Sequence, residues 1–252
     1  MIKVVLLGSG NVASHLIKSM EDNANIDLIQ VFARSKKSLE NVIDSNKITT
    51  SFSDLKEADV YVISVSDKAI EEVSNQIPFT DKLVVHTSGT MDFRIMHPKN
   101  KRGVFYPLQT FSKNKDINMK VVPFCLETEN IDDFTTLENL AKELSNSVYK
   151  INGEQRKSLH ISAVFVSNFV NHLYQIGNAL CEENKVPFAI LHPLIEETAN
   201  KIKTLSPSEA QTGPAIRHDE PTIEKHLDAL ENPIYKELYR QLTLSIQNVK
   251  KL

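Results

Sequence analysis

Two stretches of the chain carry residue types and spacings that could do chemistry. The first is Gly8-Ser9-Gly10-Asn11-Val12-Ala13, which fits G-x-G-x-x-A. In that pattern the first glycine permits a tight turn and the second lets the backbone approach a pyrophosphate. The third position must be small so that helix and strand can pack closely. A helix opening there adds unpaired N–H groups and a positive dipole end. The hexapeptide directly follows the largely apolar run Ile2 to Leu7, which gives it the strand–turn–helix context a dinucleotide site needs. Gly8, Ser9, Gly10, Asn11 and Val12 are therefore expected to hold a cofactor. The next apolar run ends Phe32-Ala33-Arg34-Ser35, without the Asp or Glu that usually meets a free ribose 2′-OH. Arg34 can pair with a 2′-phosphate through two parallel charge-assisted bonds and Ser35 can add another, so NADP(H) is favoured over NAD(H).

The second stretch runs from Ser158 to Cys181: 24 residues without Asp, Glu, Lys or Arg, in a chain that is 24% charged. Wound at about 100° per residue, Ser167, His160, Asn171, Val164, Gln175 and Asn168 fall on one arc about 100° wide. Such a stripe makes directed hydrogen bonds without permanent charge. Reduction of a C=O or C=N bond needs a proton donor for the heteroatom, which His160 could be. Asn168 could orient the substrate or the imidazole. The same stripe would equally suit a helix–helix or dimer interface.

A later polar cluster, Thr212-Gly213-Pro214-Ala215-Ile216-Arg217-His218-Asp219, combines a turn that exposes backbone N–H groups with a cation able to clamp a carboxylate or phosphate. Thr212, Gly213 and Arg217 are candidate substrate ligands. Asp219, with Pro221, suits the cap of a following helix. Ligands of open α/β sheets lie beyond the strands' carboxyl ends. Val65, Ser66 and Ser88 thereby join the expected cofactor residues, and Gln109 the substrate residues. The eight histidines are dispersed, and nothing has metal-ligand spacing.

These residues need elements to position them. Buried-strand patterns occur at Ile2 to Leu7, Leu28 to Ala33, Val60 to Val65, Leu83 to Thr87, Val104 to Tyr106 and Val121 to Leu126. Helical patterns intervene at Asn11 to Met20, Lys68 to Gln76 and Asp132 to Leu144. The alternation predicts an α/β fold, a doubly wound, Rossmann-like parallel sheet. After Asn152-Gly153 only helical patterns remain, so residues 1–152 read as a dinucleotide-binding domain and 153–252 as an all-α C-terminal domain for substrate binding and dimerisation. A net charge of −3 gives no basic field for nucleic acid or an acidic membrane. The charge-free run is about as long as a membrane span, but its His, Asn and Gln residues would be costly in lipid. Two scattered cysteines, Cys125 and Cys181, and no leader before the first strand point to the cytoplasm.

Nearly the whole chain resembles the NADP oxidoreductases that join a Rossmann-like domain to a C-terminal domain of unknown function, a group similar in layout to pyrroline-5-carboxylate reductase and the 6-phosphogluconate dehydrogenase-like superfamily. The match is carried by GSGNVASHL at 8–16, VVHTSGT at 84–90, GVFYPLQTFS at 103–112, LHISAVFVSNF at 159–169 and TGPAIRHDEPTIEKHL at 212–227. The resemblance implies a nucleotide site at Gly8–Val12 with Arg34 and Ser35, and a helical domain that dimerises. In the related dehydrogenases a lysine or other polar residue on the long helix serves as acid/base, with an asparagine one turn on. Here His160 stands near that place, followed by Val164 and, a turn later, Asn168. The expected activity is NADP(H)-dependent hydride transfer to or from a small anionic oxo or imino substrate. Two alternatives remain: an NADP-binding sensor or scaffold without turnover, and a deazaflavin-linked NADP oxidoreductase.

Overall fold

A computed structural model describes residues 1–113 and 115–248. The chain starts with β1 (Ile2–Leu7), followed by α1 (Asn11–Glu21), β2 (Ile26–Phe32), β3 (Ile48–Thr49) and β4 (Val60–Ile63). Then come α2 (Ile70–Gln76), β5 (Leu83–His86), β6 (Lys101–Pro107), β7 (Phe124–Thr128), α3 (Ile131–Leu144) and β8 (Val148–Lys150). The strands form one sheet in the order β3-β2-β1-β4-β5-β6-β7-β8. All neighbours are parallel except β6 and β7, which run antiparallel.

Period-two alternation explains the layers. Val4 and Leu6 point to one face, where Leu16, Ile17 and Met20 of α1 and Leu137, Leu140 and Leu144 of α3 cover them. Val5 and Leu7 point to the other, against Tyr61, Ile63 and the α2 residues Ile70 and Val73. Burial on both faces is why β1 is apolar from Val4 to Leu7 and β4 is apolar throughout. From β1 the chain winds outward through β2 and β3, then crosses to β4 on the other flank. A cleft opens at such a switch point, beyond the carboxyl ends of the strands.

The expected strands are all present, β1 with the expected ends and the others with shifted ones. The run at Val121 to Leu126 begins as a 3-10 turn at Met119–Val121, so the strand starts only at Phe124. Two strands were not foreseen, β3 and β8, of two and three residues.

Beyond Asn152 the chain is helical. Asn152 caps α4 (Gly153–Ala163) through a reciprocal box: its side chain accepts from the Gln155 N–H, and the Gln155 side chain accepts from the Asn152 N–H, both at 2.9 Å. Residues Val164–Phe169 then form a π-helical segment before α5 (Val170–Glu183). A π turn holds more residues than an α turn, so uniform winding at about 100° per residue breaks at Val164. The single polar stripe expected along Leu159 to Cys181 does not run unbroken through it.

By internal contacts the chain forms two compact units, Met1–Ser167 and Asn168–Leu252. The second contains α5, α6 (His192–Lys201), α7 (Pro207–Ala210), α8 (Glu220–Ala229) and α9 (Pro233–Asn248). Asp219 caps α8 as its sequence suggests, accepting from the Thr222 N–H at 3.3 Å and the Thr222 hydroxyl at 2.8 Å, with Pro221 in the first turn. His226 of α8 meets the Tyr239 hydroxyl of α9 at 2.8 Å. Among the described residues, no helix is long and apolar enough to cross a membrane.

Candidate active site

A cleft of about 990 Å³ lies within the first unit, at the carboxyl ends of β1, β2, β4, β5 and β6. Its floor is the glycine turn. Gly8 has φ +143°, a region side chains rarely adopt, and a Cβ there would sit 2.0 Å from the Ser64 carbonyl oxygen. The turn is thus pressed against the end of β4, where Ser64 N–H also donates to Leu7 at 2.8 Å. Gly10 is different. A Cβ on it would meet nothing within 4 Å, so its missing side chain leaves open space in the cleft rather than relieving a clash. Gly10 precedes α1 without any side-chain cap, and no acidic residue lies in the helix's first turn. The N–H groups of that turn are left for a ligand anion.

Of the residues expected at the cofactor, Gly8, Ser9, Gly10, Asn11, Val12, Arg34, Val65, Ser66 and Ser88 line this cleft. Ser35 does not. It is exposed, and its carbonyl accepts from the Ser38 hydroxyl at 2.7 Å as the chain enters a short 3-10 turn. The chain has six arginines. Arg94, Arg102, Arg156 and Arg240 each pair with a carboxylate. Among the described residues Arg34 and Arg217 have no such partner, and both are exposed. The pyrophosphate cradle and the unpaired Arg34 fit a dinucleotide carrying a 2′-phosphate.

Gln109 and His160 line the same cleft. His160 is half-buried on α4, and its Nδ1 lies 3.1 Å from the hydroxyl of buried Tyr106 at the end of β6. Burial pushes that hydroxyl up to about 12; Cys125 adds to the rise and Arg156 opposes it. Tyr106 therefore stays protonated at neutral pH. The sequence alone assigns Tyr106 no role, because it and His160 are 54 positions apart.

Arg156, one turn before His160, fixes where α4 begins. Its side chain is buried and paired with Glu127 on β7, and it donates to the Met91 carbonyl at 2.6 Å. Glu127 also accepts from the Gly153 N–H at 2.9 Å. The neighbouring loop, 86–91, is shaped by His86, whose Nδ1 accepts from Ser88 N–H at 3.1 Å. Burial, then the Arg156 charge, pulls His86 down to about 4, so it is neutral and free to accept. The Ser88 hydroxyl accepts from the N–H groups of Thr90 and Met91, both at 3.1 Å. Thr90 in turn donates to Asp67 at 2.7 Å. The loop is thus held by local bonds within 86–91 and by one bond to Asp67.

The remaining candidates lie in the second unit. Asn168 is exposed in the π-helical segment. Thr212, Gly213 and Arg217 sit on the loop before α8, where Gly213 has φ +108° and His218 φ +53°. A Cβ on Gly213 would meet nothing within 4 Å. The loop is closed by bonds from His218 N–H to Ala215 at 3.1 Å and Asp219 N–H to Pro214 at 3.0 Å. Among the described residues, no three His, Cys, Asp or Glu are grouped to hold a metal.

A doubly wound sheet with a glycine turn at its switch point, a free arginine after the second strand and an imidazole in the cleft defines a nucleotide-dependent oxidoreductase. Residues 3–89 match the family described as "NADP oxidoreductase coenzyme F420-dependent", and residues 122–246 match a domain of unknown function, DUF2520. The candidate NADP oxidoreductase BF3122 of Bacteroides fragilis superposes with a TM-score of 0.88 at 37% identity, over 98% of both chains. Protein TM1727 of Thermotoga maritima follows with a TM-score of 0.75 at 21% identity, over 97% of this chain and 96% of that one. At the level of fold, the Plasmodium falciparum pyrroline carboxylate reductase with NADP bound is also similar, with a TM-score of 0.64 at 14% identity over 98% of both chains. No curated protein matches. The chain belongs to the NADP oxidoreductase family that joins an F420-dependent-type NADP oxidoreductase domain to a DUF2520 domain, and its cofactor is NADP(H).

Proposed function

We propose that this protein is an NADP(H)-dependent oxidoreductase acting on a small anionic oxo or imino compound. The reading is carried by one observation: the imidazole of His160 and the pyrophosphate turn share one cleft. NADPH held there by the Gly8–Val12 turn and Arg34 would supply a hydride for the carbon of a C=O or C=N bond. His160 supplies the proton to the heteroatom, which leaves an alcohol or amine. Gln109 is assigned to the substrate, and Asn168 to orienting the substrate or the imidazole. The substrate's anion is assigned to Arg217 with Thr212 and Gly213. A guanidinium with no carboxylate partner among the described residues, beside a turn with a left-handed glycine, supports that assignment.

The test is NADPH oxidation with a panel of 2-oxo acids, cyclic imino acids and coenzyme F420, comparing the parent with His160→Ala. Turnover of an acid in the panel that falls at least tenfold in the variant supports the reading. Turnover of F420 alone would transfer the assignment to a deazaflavin partner. Tight NADPH binding with no turnover of any member would make the protein a sensor or scaffold.

We further propose that the protein works as a homodimer through its helical unit, in the cytoplasm. Ile190, Leu194, Ile202, Ile234 and Leu244 of that unit are all at least half exposed. Its buried apolar side chains among the described residues are Ala215 and Ile223 alone. Apolar surface on that scale supports a partner, and a second copy supplies the same surface in return. Cys125 and Cys181 are unpaired, which suits a reducing compartment. Sedimentation analysis giving a mass near 28.4 kDa, that of one chain, would overturn the dimer.

A further inference from the structure

Gly89 has an unusual reason to be glycine. Its φ lies outside the left-handed region, so a left-handed backbone is not what demands glycine there. Space is what forbids one. A Cβ at Gly89 would lie 2.7 Å from Nδ1 of His160, 2.7 Å from Cζ of Tyr106 and 3.0 Å from the Tyr106 hydroxyl. All three atoms belong to one hydrogen-bonded pair. The absent side chain is the room in which Tyr106 and His160 meet.

The direction of their bond follows from chemistry. The Tyr106 hydroxyl has one hydrogen-bond partner among the described residues, Nδ1 of His160 at 3.1 Å. A neutral imidazole has one nitrogen that donates and one that accepts. Tyr106 is a neutral phenol, a good donor, and the accepting imidazole nitrogen is its natural target. An O–H from Tyr106 to Nδ1 leaves the ring proton on Nε2. When the ring is charged, the same hydroxyl rotates and accepts from Nδ1–H, so the contact survives both protonation states.

We propose that Tyr106 is a positioning residue that acts through His160: its hydroxyl holds Nδ1, donating to it in the neutral ring and accepting from it in the charged ring, so that the neutral ring rests as the Nε2–H tautomer and the charged ring, the form that gives a proton, presents Nε2–H to the substrate, and Gly89 is the spacer that admits the pair. The role of the pair rests on the reading of His160 as proton donor. The placement of the ring proton does not.

Nuclear magnetic resonance on protein labelled with ¹⁵N-histidine separates the two. His160→Gln assigns the His160 signals among the eight histidines. In the parent, at a pH where the ring is neutral, His160 is expected to carry its proton on Nε2. In Tyr106→Phe both ring nitrogens are expected to move toward the average of the two tautomers. Gly89→Ala is expected to do the same with the Tyr106 hydroxyl still present, because the new methyl pushes the pair apart. A parent His160 protonated on Nδ1 overturns the proposal, as does a Tyr106→Phe tautomer identical to the parent's. Should His160→Ala turn over the substrate panel as fast as the parent, the catalytic reading falls, and the tautomer result still decides the role of Tyr106 on the ring.

Discussion

The Ser64 carbonyl oxygen occupies the place a side chain on Gly8 would take, 2.0 Å from its ideal Cβ. The end of β4 is thereby wedged against the turn after β1, and both line the cofactor cleft. Gly8→Ala must push β1 and β4 away from each other and also hold alanine at φ +143°. Strain of this kind and displaced core packing together are expected to cost at least about 3 kcal/mol. Urea unfolding of the variant checks this. A midpoint within experimental scatter of the parent would show that the turn can open.

Gly10 gives the contrasting case. Open space surrounds its Cβ position, so Gly10→Ala is expected to fold with parental stability. Its methyl would occupy the volume reserved for the pyrophosphate, and NADPH affinity is expected to drop about tenfold or more, roughly 1.4 kcal/mol. Isothermal titration calorimetry beside thermal unfolding distinguishes the two glycines. Loss of stability without loss of binding at Gly10 would reverse their roles.

Arg34 has no carboxylate partner among the described residues and lines the cleft. A charge-assisted hydrogen bond contributes about 1.5–3 kcal/mol, so Arg34→Ala is expected to weaken NADPH at least tenfold while leaving NADH nearly unchanged. The discriminating quantity is the ratio of the two losses. Equal losses would mean that Arg34 does not read the 2′-phosphate.

The glycine turn, the main strands and the helical C-terminal half were legible because each is written within a short window. Val4 to Leu7 is continuously apolar, Gly8 and Gly10 follow at fixed spacing, and Asp219 stands three residues before the N–H it caps. What was not legible depends on distant residues or on geometry without a local signature. β3 and β8 are too short to show a period and exist by pairing to β2 and β7. The π-helical turn at Val164–Phe169 interrupts the even winding on which a continuous stripe depends. Tyr106 meets His160 across 54 positions, and Glu127 meets Arg156 across 29. Gly89, inside a stretch that carries the family resemblance, was the one nearby clue: a glycine that no turn requires.

The Arg156–Glu127 pair anchors the helix that carries His160. Removing one partner of a buried pair leaves the other charge uncompensated, typically at a cost of about 3–5 kcal/mol. Glu127→Gln is therefore expected to destabilise the protein by that order, and Arg156→Met by less, since it removes the more deeply buried charge and leaves Glu127 partly exposed. Chemical denaturation of both variants tests the asymmetry. Equal and small losses would show the pair to be ornamental.

His86 ties stability to pH. The folded imidazole is pulled down to about 4 by burial and by Arg156, against the raising influence of Asp67 and Asp92. The unfolded ring titrates at its ordinary value of 6.5. Above that value both states are neutral and the group has no effect on stability. As pH falls through it, the unfolded chain takes up a proton that the folded chain refuses, and stability drops. The loss grows until about 4, where the folded ring begins to accept the proton too. Its full size is about 3 kcal/mol. Other carboxylates also titrate in acid, so the informative comparison is with His86→Asn, whose side-chain oxygen can still accept from Ser88 N–H without gaining a charge. Denaturant midpoints followed from neutral pH down to about 4.5 should converge on those of the variant, or fall below them, as the parent loses its margin. Parallel curves for parent and variant would show that His86 is not the group that couples this fold to pH.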